Sequence, residues 1–226
     1  MQRREPLSQE PVTASIGDQP QGIVVPAFAA FIADQAHGFD PSATLTRGRR
    51  LTLPVLESVA DVPFDLESHV GDRAAVLFFY VGGWNRADNQ ALVTLQERMP
   101  AFQQLGTALI AVTPELPIHA KATANRHGLT FPIAIDHACR FAKSLGLVVK
   151  LPVELRRVVR DRGVRLKLWN GEGSYDLPMP TVIFLDRQRR IRWASGGLAT
   201  SDPDPADILA ALKSLIETES MDERFA

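Results

Sequence analysis

Sulfur is scarce in this chain, with one cysteine, Cys139, among 226 residues. A lone thiol excludes an intrachain disulfide and leaves no second cysteine for a zinc site. It suits a reducing compartment, so a cytoplasmic location is expected. An excess of charge is also missing. The net charge of −1 creates no field that would draw the chain to nucleic acid or an anionic membrane, and neither partner is expected. No apolar run approaches the ~20 residues that a spanning helix requires. Residues 1–6 carry charge without a following apolar stretch, so no secretory signal is expected. The histidines at 37, 69, 119, 127 and 137 contain no pair at the i, i+4 spacing that shares a helix face, and no metal site is expected. No Walker loop is present. Gly82-Gly83-Trp84 lacks the later glycine of a dinucleotide turn, and Gly171-x-Gly173 falls in a loop, so no cofactor is expected.

What remains is an ordinary globular composition, 45% hydrophobic and 23% charged. That fits one domain with elaborations. Residues 1–44 read as an extension: a polar tail to about residue 22, then a short amphipathic helix over 24–35 with Phe28, Phe31 and Ile32 on one side. Such a helix docks either on its own domain, the simpler reading, or on a second subunit. Residues 45–217 form the domain, and 218–226 an acidic, frayed tail.

Around residues 74–99 the pattern is sharpest. Residues 75–81 are almost wholly apolar, which suits a strand buried on both faces. Gly82-Gly83 breaks the run. Asn85 is a favoured helix N-cap, and Asp88 three positions later predicts a capping box with a shortened acid. Leu92, Leu95, Met99 and Phe102 then define one apolar helix face. Free N–H groups at that helix start favour anions.

Downstream, strands at 108–112 and 131–135 alternate with helices at 116–127 and 138–145, a βαβ arrangement with a largely parallel core. Upstream, turn signals at Pro54, Asp61 and Pro63 punctuate residues 51–66. Residues 152–162 predict a helix with Pro152 at its first position. Val153, Leu155, Val158 and Val159 are expected inside, and Arg156, Arg157, Arg160 and Arg162 in water. Such an arginine run is more often a wet face than an anion or partner site. An antiparallel pair is expected at 181–186 and 191–194, and a closing helix at 204–217 with Ile208, Leu209, Leu212, Leu215 and Ile216 buried.

The central stretch, FFYVGGWNRADNQ, resembles the redox turn of peroxiredoxins in the alkyl hydroperoxide reductase / thiol-specific antioxidant (AhpC/TSA) family, a branch of the thioredoxin fold. The family phrase Phe-Tyr-Arg-Gly-Gly-Trp-Cys-x-x-Cys-Asn survives here as Phe79, Tyr80, Gly82, Gly83, Trp84 and Asn89. Asn85 stands at the peroxidatic cysteine position, Asp88 at the second, and Val81 replaces the arginine. A second stretch, NGEGSYDLPMP from residue 170 to 180, is similar to the family phrase Asn-Gly-Asp-Gly-Ser-Trp-Glu-Leu-Pro-x-Pro. The resemblance implies an α/β fold, a central mixed sheet flanked by helices, and an early hairpin over residues 51–66. It also implies a homodimer like many relatives and a cis-proline at Pro180 facing Trp84 and Asn85. It further implies a pocket walled by Tyr80, Gly83, Trp84, Thr113, Met179 and Pro180.

Thiol peroxidases attack the peroxide O–O bond with a thiolate, which Asn85 and Asp88 cannot supply. Thiol peroxidase activity is therefore expected to be absent, and three readings stand. In the first, Asn85 and Asp88 cap the helix and the old pocket serves for non-redox binding of a small organic ligand or a partner. In the second, the pocket is reused for non-thiol catalysis, with Asp88 as general base and Asn85 beside it. In the third, Cys139 carries residual redox chemistry. Cys139 lies near the start of the helix expected at 138–145, after His137 and before Arg140. The helix N-terminus, Arg140 and His137 would each lower its pKa, although a lone cysteine near a helix start is more often a small buried hydrophobe.

Overall fold

The computed structural model describes residues 22–38 and 45–196, together with Ala210 and Lys213. The polar tail, the acidic end and the buried face expected for the closing helix lie outside the described residues.

The fold is built on alternation within one strand. β3 (Ala74–Phe79) sits between β4 (Thr107–Thr113), parallel to it, and β8 (Thr181–Leu185), antiparallel to it. Every residue of all three strands is buried. Ala75, Leu77 and Phe79 face one layer, and Val76 and Phe78 the other, as a period of two requires. Four further strands complete a seven-stranded mixed sheet among the described residues, in the order β2-β1-β5-β4-β3-β8-β9. They are β1 (Val55–Ser58), β2 (Pro63–Asp65), β5 (Ile133–Ile135) and β9 (Ile191–Gly196). The early hairpin is β1–β2, and β8–β9 is the expected antiparallel pair. β6 (Val148–Lys150) and β7 (Asp176–Pro178) form a separate small ribbon.

Helices cover both faces. α2 (Leu66–Val70) and α6 (Arg140–Ser144) lie on the side of Leu77 and Phe79. On the side of Val76 and Phe78 lie α3 (Arg86–Glu97), α4 (Met99–Gln104) and α5 (Pro117–His127). The expected single helix through Phe102 is interrupted at Arg98. Pro100, in the first turn of α4, has no N–H to continue the ladder, so a new helix starts there. α5 ends at Gly128 in the left-handed conformation, as a glycine stop predicts.

Two further expectations are corrected. The helix foreseen at 138–145 does not begin at its first residues. Ala138 and Cys139 both hold φ of 54°, within a 3-10 turn (His137–Cys139), and α6 starts after them. The buried Asp136 carboxylate takes the Phe141 and Ala142 N–H groups at 2.8 and 2.9 Å, which fixes that later start. In α7 (Val153–Asp161), Pro152 is the N-cap residue rather than the first helical one. Val153 is 66% exposed and Val158 37%, so only Val159 of that face is fully inside and Leu155 partly so. The remaining short helix, α8 (Leu166–Trp169), follows.

The N-terminal helix α1 (Pro26–Gly38) docks on its own domain. Val25, Phe28 and Ile32 join Trp84, Val159, Leu166, Leu177 and Met179 in one buried cluster, and α1 packs against α7. Phe28 meets the Trp84 ring at 5.1 Å between centroids, tilted by 57°. Phe28 is 2% exposed, and large-to-small changes at such sites remove about 3 kcal/mol or more. Phe28→Ala is therefore expected to lower stability by about 3 kcal/mol, read by urea unfolding. A loss under about 1 kcal/mol would mean that α1 is only loosely attached.

Candidate functional site

Strand register brings the site together. Phe79 pairs with Val112 on one side and Thr181 on the other, so the chain leaving β3, the chain leaving β4 and the chain entering β8 meet at one sheet edge. Tyr80, Thr113, Met179 and Pro180 are all buried there. Met179 shares the Trp84 cluster, so the proline loop does face the turn. The Met179–Pro180 bond is trans, contrary to the expected cis form.

The turn between β3 and α3 is tightly held. Gly82 has φ of 150°, and a Cβ on it would meet Trp84 Nε1 at 2.7 Å and Glu115 Oε1 at 2.8 Å. A Cβ on Gly83 would lie 1.9 Å from Thr123 Oγ1, so α5 excludes any side chain there. Asn89 Nδ2 donates to the Gly83 carbonyl at 2.8 Å, and its Oδ1 pairs with His127 Nε2 at 3.1 Å.

The capping box does not form. Asn85 has the extended backbone of an N-cap but makes no side-chain cap hydrogen bond. Asp88 turns inward instead, and its Oδ2 accepts the Val81 and Gly82 N–H groups at 3.0 and 3.2 Å. Those donors have left the ladder of β3 and require an acceptor inside the protein. Asp88 is 3% exposed. Burial raises its pKa to about 7, and the Asn85 amide and the two turn N–H groups offset part of the rise.

Glu115 was not foreseen. It leaves β4 two residues after Thr113, is fully buried, and neither oxygen has a hydrogen-bond partner of normal geometry. Burial lifts its pKa to about 8, the Gly83 N–H offsets part of that, and the Asp88 charge raises it again. Trp84 Nε1 and the Tyr80 hydroxyl are likewise buried without partners of normal geometry. Burial, then the Glu115 charge, push the Tyr80 pKa well above its usual value. Parallel strands end at the same sheet edge, so a carboxyl just beyond Thr113-Pro114 could have been placed beside the turn once β3 and β4 were paired.

The chain covers this site with its own N-terminal segment. Ile23 N–H donates to the Trp84 carbonyl at 2.7 Å, and the Arg86 N–H donates to the Ile23 carbonyl at 3.2 Å, a short parallel bridge across Asn85. Gly22, at φ of 72°, lies so close that a Cβ would meet Asn89 Nδ2 at 2.6 Å.

Cys139 belongs elsewhere. It packs with Leu77, Phe79 and Phe141 in the opposite layer, and its Sγ lies 3.5 Å from the Asp176 carbonyl. Burial, then the Asp136 charge, push the thiol pKa upward, opposite to the activation its neighbours suggested. Among the described residues no group of three or more His, Cys, Asp or Glu side chains could hold a metal ion. Nor is any helix there long and apolar enough to cross a membrane.

A mixed sheet whose central strand feeds a buried turn and a helix, with a proline loop opposite, defines a thioredoxin-like fold of the peroxiredoxin type. The sequence profile of the AhpC/TSA family matches residues 50–194, and the chain belongs to that family. Peroxidoxin BcpB from Mycobacterium tuberculosis is similar in fold, with a TM-score of 0.61 at 15% identity over 74% of this chain and 96% of its own. PrxQ of Xylella fastidiosa, in a cysteine-to-serine mutant, gives 0.61 at 14% over 75% and 96%. A mutant of peroxiredoxin 6 from Arenicola marina gives 0.59 at 17% over 75% and 73%. No curated sequence matches the chain.

The two acids set a pH dependence. Unfolded carboxyls ionise near pH 4, whereas Asp88 and Glu115 in the fold do so at about 7 and 8. Between those limits the folded chain holds protons that the unfolded chain has released. Stability attached to this pair therefore falls as pH rises from about 5 to 9, by on the order of a few kcal/mol. Glu115→Gln removes the more strongly shifted acid, so its melting temperature is expected to decline less over that range than the wild type's. Parallel pH profiles would mean that Glu115 is solvated.

Proposed function

We propose that this AhpC/TSA family member is not a thiol peroxidase and that its former redox mouth serves non-redox binding of a small organic ligand or a partner. One observation carries the reading: at a turn that keeps Gly82, Gly83, Trp84 and Asn89, the two cysteine positions are occupied by an amide and a buried carboxyl. The only sulfur nucleophile in the chain sits in the opposite layer with its thiolate disfavoured. Unused hydrogen-bonding capacity at Glu115 and Trp84 Nε1 supports binding, because buried polar groups without partners carry a desolvation penalty that a ligand could relieve. In the described conformation Ile23, Val25 and Phe28 pack on Trp84 and bridge Asn85, so a ligand reaching the Trp84 side of the turn requires them to yield.

The near-neutral Asp88 favours a second reading, reuse of the mouth for acid–base catalysis, since a general base works best with a pKa close to ambient pH. Asp88→Asn keeps an acceptor for the turn while removing the base. On an identified substrate, a hundredfold or greater loss of turnover with little change in melting temperature would favour Asp88 as the base, and unchanged turnover would leave it a structural role only.

The decisive assay is hydroperoxide consumption with dithiothreitol or thioredoxin as electron donor. Wild type and Cys139→Ser are both expected to show no rate above background. Catalytic consumption by the wild type, lost in Cys139→Ser, would overturn the proposal.

A further inference from the structure

Away from the redox mouth, α7 and α8 enclose a groove of about 550 Å³, within the range of small-molecule sites. Arg156, Arg157 and Arg160 reach it from α7, Arg165 and Lys167 from around α8, and Tyr175 from the loop before β7. Sequence alone favoured a solvated arginine face for α7. The fold adds two more cations, an aromatic ring and an apolar rim: Val153 and Leu168 border the groove at 66% and 61% exposure.

The charges there are not neutralised. Arg160 approaches Asp161 at 3.5 Å in an exposed pair on its own helix. No carboxylate among the described residues pairs with Arg156, Arg157, Arg165 or Lys167. Glu172, in the neighbouring loop, is turned onto Ser174, accepting its N–H and hydroxyl at 2.6 and 2.8 Å. Arg156 donates its Nε–H to the Leu151 carbonyl at 2.8 Å, and its guanidinium lies 4.2 Å from the Tyr175 ring centroid, which fixes its orientation. Tyr175 holds φ of 60°, an uncommon conformation for a bulky residue. Val164 and Leu166, which line the groove, also belong to the cluster around Trp84, so its walls rest on the core.

Like charges gathered without counter-charges repel, and an anion relieves that repulsion. Guanidinium forks match the planar or trigonal oxygens of carboxylate, phosphate and sulfonate. The apolar rim and ring would be wasted on a bare inorganic ion. We propose that this groove binds an organic anion: a phosphate, sulfonate or carboxylate group joined to an apolar, aryl-like body. The net charge of −1 for the chain disfavours a nucleic-acid surface, which competes for the same chemistry.

The test uses the full chain and a matched pair of fluorescent probes. 8-Anilinonaphthalene-1-sulfonate carries the anion, and N-phenyl-1-naphthylamine has the same rings without it. The sulfonate is expected to bind one per chain, at least tenfold more tightly than the neutral probe, and to weaken as salt rises. Arg157→Gln/Arg165→Gln/Lys167→Gln should reduce sulfonate affinity at least tenfold, leaving the neutral probe and the melting temperature unchanged. Leu168→Ser, on the exposed rim, should weaken both probes and preserve the salt dependence. Equal binding of the two probes, or sulfonate binding indifferent to the triple variant, would overturn the proposal. So would displacement of the sulfonate by an oligothymidylate that binds more tightly than it does, which would assign the groove to nucleic acid.

Discussion

The site depends on how one carboxylate is spent. Where β3 ends, the Val81 and Gly82 N–H groups point into the protein, and Asp88 Oδ2 accepts both. A buried donor left alone costs about 1–3 kcal/mol, so the two contacts are worth more than the surface cap that Asn85 and Asp88 suggested. With Asp88 drawn inward, Asn89 is left to tie the other side of the turn to α5 through Gly83 and His127. Gly82 and Gly83 follow from the same crowding, because Trp84, Glu115 and Thr123 occupy the space that side chains would need. Backbone donors and packing define the shape of the turn, which needs no sulfur to hold it.

Glu115 changes the electrostatics of the mouth. A peroxidatic thiolate needs surroundings that favour negative charge. This edge instead carries two buried carboxyls whose charges oppose each other, together with a tyrosine whose ionisation is suppressed.

Much of this was legible from residues alone. The apolar run, the glycine pair and the periodic leucines placed β3 and α3. NGEGSYDLPMP placed the entry to β8, and Phe28 and Ile32 placed the face of α1 that docks. The failures have physical causes. Asp88 was read by its distance from Asn85 along the chain, yet tertiary contact with the turn outweighed the local cap. The pattern places Cys139 in the first turn of a helix from residue 138, whereas Asp136 moves the start two residues on, to Arg140, and leaves the cysteine in a left-handed turn under the core. Val153 and Val158 followed helical periodicity but border solvent, and a periodicity argument cannot tell a core from an open groove. Glu115 and the cationic groove needed pairing information that no local pattern carries.

The N-terminal segment sets the terms for any ligand at the mouth. Burying Val25 and Phe28 against Trp84, with the bridge through Ile23, is worth on the order of 4 kcal/mol. A ligand that must displace this segment loses about a thousandfold in apparent affinity relative to an open mouth. Apolar contacts would only replace those removed and so could not recover the loss. The gain has to come from groups the segment leaves unsatisfied, above all the Glu115 carboxyl. A group that donates hydrogen bonds, and better still a cation, would stabilise both acids in their charged forms and change the protonation of the pair as it binds. A ligand at the mouth and one in the arginine groove would thus be opposite in character, although the walls of both rest on the same buried cluster around Trp84.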